Sequence, residues 1–164
     1  MQDLERREDD TNTDEYRPII MQSAVEHEML SQARKGLQTA LAWQTEGDTF
    51  TRKLSSVRFA ARSYHEHFER VLSQEEYDGY MDVVTSEHPN WTEKVERLRE
   101  EHKTFRESWD DLLTKLDRLK PTDQDGFQGL IAGIRELLER FEKHNSAEVS
   151  LIQEALNTDM GIGD

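Results

Sequence analysis

WTEKVERLREEHKTFRESWDDLLTKLDRLKP, residues 91–121, decides the fold. Its stripe of Trp91, Val95, Leu98, His102, Phe105, Trp109, Leu112, Leu116 and Leu119 advances by three and four residues without a break until Pro121 ends it. That period is one face of an α-helix of about eight turns, and so long an amphipathic helix must bury its face against others. One member of the stripe is an imidazole. A histidine among leucines and aromatics is costly unless something satisfies both of its nitrogens.

Three further stripes supply the partners. The first runs from about Pro18, a suitable first-turn residue, to about Gln44 and carries Ile20, Ala24, His27, Leu30, Leu37 and Leu41. The second starts at Asp48 as N-cap and continues through Leu54, Val57, Ala61, His65, Phe68 and Leu72 as far as Val84, with a weak point at Ser73 to Gly79. Asn90 and Glu93 read as a capping box opening the third helix. Thr122 and Asp125 cap the fourth, whose stripe is Phe127, Leu130, Ile134, Leu137, Phe141, His144, Glu148, Leu151 and Ala155. Four helices joined by short loops predict an all-α chain folded as an up-down-up-down antiparallel four-helix bundle over residues 16–157. Residues 1–15 read as a flexible acidic tail and 158–164 as a polar C-terminal tail.

Composition supports this and removes several functions. Hydrophobic and charged residues each make up 34% of the chain, a balance suited to narrow buried stripes rather than to a sheet covered on both faces. There is no cysteine, so disulfides, thiolate metal sites and cysteine catalysis are excluded. Acidic residues outnumber basic ones 35 to 21, and the net charge of −14 repels nucleic-acid phosphates and anionic membranes. MQDLERREDD at the start is charged where a secretion signal needs an apolar run, and no stretch reaches ~18 consecutive apolar residues, so a cytoplasmic location is expected.

The histidines carry the chemistry. His27, His65, His102 and His144 fall one to a helix on the four apolar stripes, and His65 and His144 are each followed four residues later by a glutamate, Glu69 and Glu148. Four residues turn roughly 400°, so each His-Glu pair shares a face within roughly 40°. If the four imidazoles stand at one height, the antiparallel arrangement brings Glu69 and Glu148 together. Two carboxylates beside four imidazoles suit two metal ions bridged by both carboxylates. The opposite layer, Leu30, Ala61, Phe105 and Phe141, then forms an apolar pocket over the open positions for a small ligand such as dioxygen. The ordinary alternative is a set of hydrogen-bonded core histidines and plain core packing; an apo core would have to satisfy all six polar groups at once. His67 is turned about 200° from His65, toward solvent, and His88 precedes Pro89 in a loop; neither is assigned a role.

Imidazole and carboxylate accept iron, zinc, manganese or copper alike. None of the residues three before these histidines is a glutamate, which excludes the Glu-x-x-His pattern of ferritin-like bundles. With His27 in VEHEML, His65 and Glu69 in YHEHFERVL, His102 in LREEHKTF, and His144 and Glu148 in FEKHNSAEVSLIQEAL, the chain resembles the hemerythrin-like family. The likeness is to its His, His-x-x-x-Glu, His, His-x-x-x-Glu variant and spans about residues 18–157. It implies a centre of two non-haem iron ions joined by an oxo or hydroxo group. Oxygen carriers of that family have a second histidine where this chain has Arg106, and an aspartate where it has Val149, which points away from stable oxygen carriage.

The resulting expectation is a di-iron protein that senses or handles dioxygen, nitric oxide, peroxide or iron itself. A di-iron peroxidase or oxidase is the alternative from the enzyme class, and a metal-free interaction bundle the other. The same ligands serve the first two, so residue pattern does not separate them.

Overall fold

Four long helices carry the chain in the computed structural model, which describes residues 8–44, 50–77 and 79–160. They are α1 (Glu8–Ala42), α2 (Phe50–Glu76), α4 (Thr92–Arg118) and α5 (Gln124–Met160), with a short α3 (Tyr80–Glu87) and a 3₁₀ turn (Pro89–Trp91) between α2 and α4. No strand occurs among the described residues, and no helix there is long and apolar enough to cross a membrane. The architecture is the all-α four-helix bundle that the periodicity requires.

Several boundaries differ from the sequence expectation. α1 begins at Glu8, passing through Pro18 rather than starting there, so part of the segment read as a tail is helical. Residues 1–7, Asp48 and 161–164 lie outside the described residues. α2 stops at Glu76, within the predicted weak point, and α3 resumes after Gly79. A Cβ at Gly79 would drive into the carbonyl oxygens of Gln74 and Glu75, so only glycine allows the chain to turn that tightly there. The capping box at Asn90 does not form: Trp91 is the N-cap of α4 without a side-chain bond, and Thr92 Oγ1 donates to the Pro89 carbonyl at 2.8 Å instead. α5 is capped by Asp123, whose Oδ1 accepts the Gly126 N–H at 2.9 Å.

Cross-helix contacts set the register. Arg58 donates to the Leu116 and Leu119 carbonyls at 3.0 and 2.8 Å, satisfying the end of α4. Further along, Arg106 meets Glu69 at 3.0 Å and His102 meets Glu76 at 2.9 Å, so α2 and α4 run antiparallel. Arg34 pairs with Glu142, tying α1 to α5.

The apolar stripes form two clusters, not one. The larger extends from Leu41, Leu54, Leu116 and Phe127 to Phe68, Phe105 and Phe141. The smaller, Met81, Val84, Val95, Leu98, Leu151 and Ala155, lies beyond. Along α4 and α5 the residues between the clusters are His102, His144 and Glu148, so the bundle has a polar layer sandwiched by two apolar ones.

Candidate metal centre

Two helices bring the polar layer together at its middle. On α4, His102 continues the stripe between Leu98 and Phe105 and is fully buried; on α5, His144 and Glu148 share one face and are each 3% exposed. Glu148 Oε1 accepts a hydrogen bond from His102 Nε2 at 2.9 Å and from His144 Nε2 at 3.0 Å. The imidazole rings lie 4.7 Å apart. His102, His144 and Glu148 each offer one ligand atom within a span of 4.8 Å, as one cation requires.

The other face of each ring is fixed as well. His102 Nδ1 donates to Glu76 Oε1 at 2.9 Å, and His144 Nδ1 donates to Glu101 Oε2 at 2.6 Å. An outer carboxylate on one nitrogen, leaving the other turned inward, is the arrangement that orients imidazoles toward a metal. Neither Glu76 nor Glu101 has a marker in the sequence beyond its place next to a stripe.

Glu75 completes the layer from the last turn of α2 and is 4% exposed. Its Oε1 accepts from His27 Nε2 at 2.9 Å, and its Oε2 stands 3.6 Å from His102 Nε2 while making no hydrogen bond. A buried carboxylate oxygen without a partner, beside inward-facing imidazoles, fits a bound cation. Sequence reading missed Glu75, yet it continues the α2 stripe of Val57, Ala61, Tyr64, Phe68 and Val71 at the same three-and-four spacing.

The structure does not bring His65 and Glu69 to this layer. α2 presents Glu75 and Glu76 at the height of His102, whereas His65 stacks on Phe68 and lies against Trp109 at ring distances of 6.0 and 6.2 Å. Glu69 turns to Arg106 rather than to Glu148, with 3.0 Å between Oε2 and Nε. The cause is competition for the buried face: Tyr64, 1% exposed, takes the stripe position and leaves its neighbour His65 on the flank. His67, expected in solvent, is half-buried, with an enclosed Nδ1. His88 ends α3, its N–H bonded to the Val84 carbonyl at 2.8 Å, and stacks on Trp91.

Of the predicted apolar pocket, Phe105 and Phe141 touch the layer, with ring centroids 5.3 and 5.7 Å from His144. Leu30 and Ala61 are buried in the same cluster. From α2 it is Phe68 that reaches Phe141, at 5.0 Å. A groove of about 440 Å³ bounded by Glu101, Thr104, Arg140, Lys143 and Ala147 leads from the surface to Phe105 and His144.

Charge explains how the layer holds itself together. The Glu75 hydrogen bond raises the pKa of His27 above 6.5. Burial opposes charge on His144, but Glu148 and Glu101 outweigh it and raise its pKa too. Burial likewise opposes charge on Glu148, yet the two imidazoles hold its carboxyl down to about 2. Glu75, by contrast, is raised above 4.5, chiefly by burial. Charge is thus favoured on His27, His144 and Glu148 and opposed on Glu75.

No curated protein and no solved structure matches the chain. The family described as the hemerythrin HHE cation binding domain matches residues 23–156, a segment that contains every residue of this layer. Over that span, the chain belongs to the hemerythrin HHE cation-binding-domain family.

Proposed function

We propose that the chain is a non-haem iron protein that binds two iron ions on His27, Glu75, His102, His144 and Glu148 and uses them to sense or handle a small ligand such as dioxygen, nitric oxide or peroxide. One observation carries the reading: inward-facing Nε2 atoms of His27, His102 and His144 meet the buried carboxylates Glu75 and Glu148, with outer carboxylates fixing two of the rings. The donors divide into His102, His144 and Glu148 on one side and His27 with Glu75 on the other. The 3.6 Å approach of Glu75 to His102 joins the halves, so these five side chains would together hold the two ions.

Iron held by these residues would supply redox chemistry. The protein's part is to orient imidazoles, neutralise the ions with buried carboxylates and exclude water behind Phe105 and Phe141. Those aromatic walls suit a small, weakly polar ligand. The half-exposed His27 and the groove at His144 are the two approaches from solvent.

The test is iron content and optical spectrum after anaerobic reconstitution. About two irons per chain, with a spectrum that changes on oxidation and reverses on reduction, is the expected result. At most one tightly bound metal per chain overturns the two-ion reading, and none overturns the metal reading. Exposing the reduced sample to dioxygen, nitric oxide and peroxide in turn then identifies the ligand, and sustained peroxide consumption with a reductant would place the protein among enzymes instead.

A further inference from the structure

Tyr80 is the first residue of α3, directly after the Gly79 turn, and its hydroxyl oxygen is sealed from solvent with no hydrogen bond of good geometry. Its ring packs against the smaller apolar cluster, whose Leu151 stands three residues beyond Glu148 on α5. A phenol is a neutral O–H donor at working pH, this one is enclosed without an acceptor, and the carboxylate charges that bear on it are those of Glu148 and Glu75.

Glu148 is the residue that needs a donor. Its Oε1 accepts from both His102 and His144 through their Nε2–H groups in this structure. A cation at those nitrogens takes their lone pairs, so both hydrogen bonds are lost when the site fills. His102 keeps Glu76 and His144 keeps Glu101 as outer supports. Glu148 keeps none of its imidazole donors, and metal-bound carboxylates are ordinarily held by an outer hydrogen bond.

We propose that Tyr80 is that support: its O–H donates to the Glu148 carboxylate in the metal-loaded protein and fixes the orientation in which Glu148 meets the cation. Tyr80 is a positioning residue here, not a ligand. The proposal rests on the metal reading above. It also gives α3 a purpose, since α2 ends at Glu75 and Glu76 and the Gly79 turn places Tyr80 four residues after Glu76, against the cluster that flanks the layer.

The experiment uses full-length protein and cobalt(II) or iron(II) in chelator competition, with Tyr80→Phe as the variant. Phenylalanine keeps the ring and removes only the hydroxyl. Metal affinity should fall by about 10-fold or more. The Tm of the metal-free variant should stay level or rise, because a buried hydroxyl lacking a partner has been removed. A merely structural role would lower the metal-free Tm and leave affinity intact, and that outcome overturns the proposal. An intense visible band in the oxidised iron protein that disappears in Tyr80→Phe would make the phenol a direct ligand and overturn it equally. If wild type binds neither metal, the metal reading fails; if wild type binds and the variant matches it, only the role of Tyr80 fails. Should the variant not fold, wild type alone suffices: cobalt loading should shift the infrared C–O band of a tyrosine in the direction of a stronger donor, and no shift overturns the proposal.

Discussion

Arg106 Nη1 lies 2.8 Å from Glu76 Oε1, the oxygen that also accepts the His102 Nδ1–H. Arg106 Nη2 reaches Glu76 Oε2 at 3.1 Å and Nε reaches Glu69 at 3.0 Å, so one guanidinium clamps two carboxylates of α2. The position that holds a second histidine in oxygen carriers is thus occupied by a cation that works one shell further out, through Glu76 on the imidazole.

Replacing Arg106 with Gln should therefore act on the metal and not on the fold. Glu76 would lose the partner that holds its carboxyl below the ordinary range, and His102 would lose its fixed orientation. Cobalt affinity should fall by about 10-fold in chelator competition. An unchanged affinity would show that His102 is oriented by its surrounding core alone.

Glu75→Gln and Glu69→Gln separate the two carboxylates of α2. Glu75 is buried in the layer and Glu69 is 35% exposed beside Arg106, so the first substitution should strip metal while the second leaves iron per chain unchanged. His102→Ala should behave like Glu75→Gln, and His67→Ala like Glu69→Gln. Metal loss on Glu69→Gln with none on Glu75→Gln would restore the ligand set expected from sequence.

α4 and α5 were readable because each carries a long stripe at three-and-four spacing, whose polar residues meet at one height as periodicity demands, and α1 was readable from Leu30, Leu37 and Leu41. α2 was readable as a helix but not in register. Tyr64 and His65 are neighbours that both fit the spacing, and periodicity alone does not say which is buried. The packing of Tyr64 and Phe68 on Trp109, at ring distances of 5.1 and 6.3 Å, settles it. Equal spacing between histidines also says nothing about height, which depends on where the chain turns. The Gly79 turn and α3 slide α2 so that its last residues, not its middle, face His102.

The metal-free protein should be most stable in mildly acidic solution. His27 and His144 have folded-state pKa values raised above 6.5, so their contribution is complete below 6.5 and fades as pH climbs through those raised values. Glu148, held at about 2 against 4.5, contributes above 4.5 and loses that contribution as pH falls toward 2. Glu75, raised by burial, adds a cost as pH climbs past 4.5 and trims the upper side of the optimum. Thermal scans of metal-free protein should show Tm declining from pH 6.5 upward, and metal loading should remove that decline because a cation then stands where the protons were. A metal-free Tm that rises through this range would contradict the assignment.

Phe141→Ala should keep the metal and open its surroundings. Phe141 touches Phe68, Phe105 and His144, so truncation should cost roughly 3–5 kcal/mol in a denaturant series. Iron content should persist while azide binding and autoxidation quicken. Unchanged rates in a folded, loaded variant would place the ligand's approach elsewhere.

Gly79→Ala should be the most damaging small substitution. Its methyl would meet the backbone oxygens of Gln74 and Glu75, so the turn must shift and carry Glu75 and Tyr80 with it. A loss on the order of 1–3 kcal/mol together with reduced metal content is expected. Full metal loading in this variant would show that the end of α2 tolerates displacement.

The separation of the apolar core into two clusters makes the bundle two units of unequal durability. The smaller cluster, with α3, the start of α4 and the end of α5, holds few large side chains among the described residues and is separated from the larger along α4 and α5 by the polar layer. The expected consequence is that this end opens before the rest unfolds, while Trp109 and its neighbours stay packed. Amide exchange should accordingly be fast around Met81, Val95 and Leu151 and slow around Leu54, Leu116 and Ile134, and a cation that spans the layer should join the two units into one. Seen this way, a cation at the layer would be a latch, tying the smaller unit to the larger through His102, His144 and Glu148.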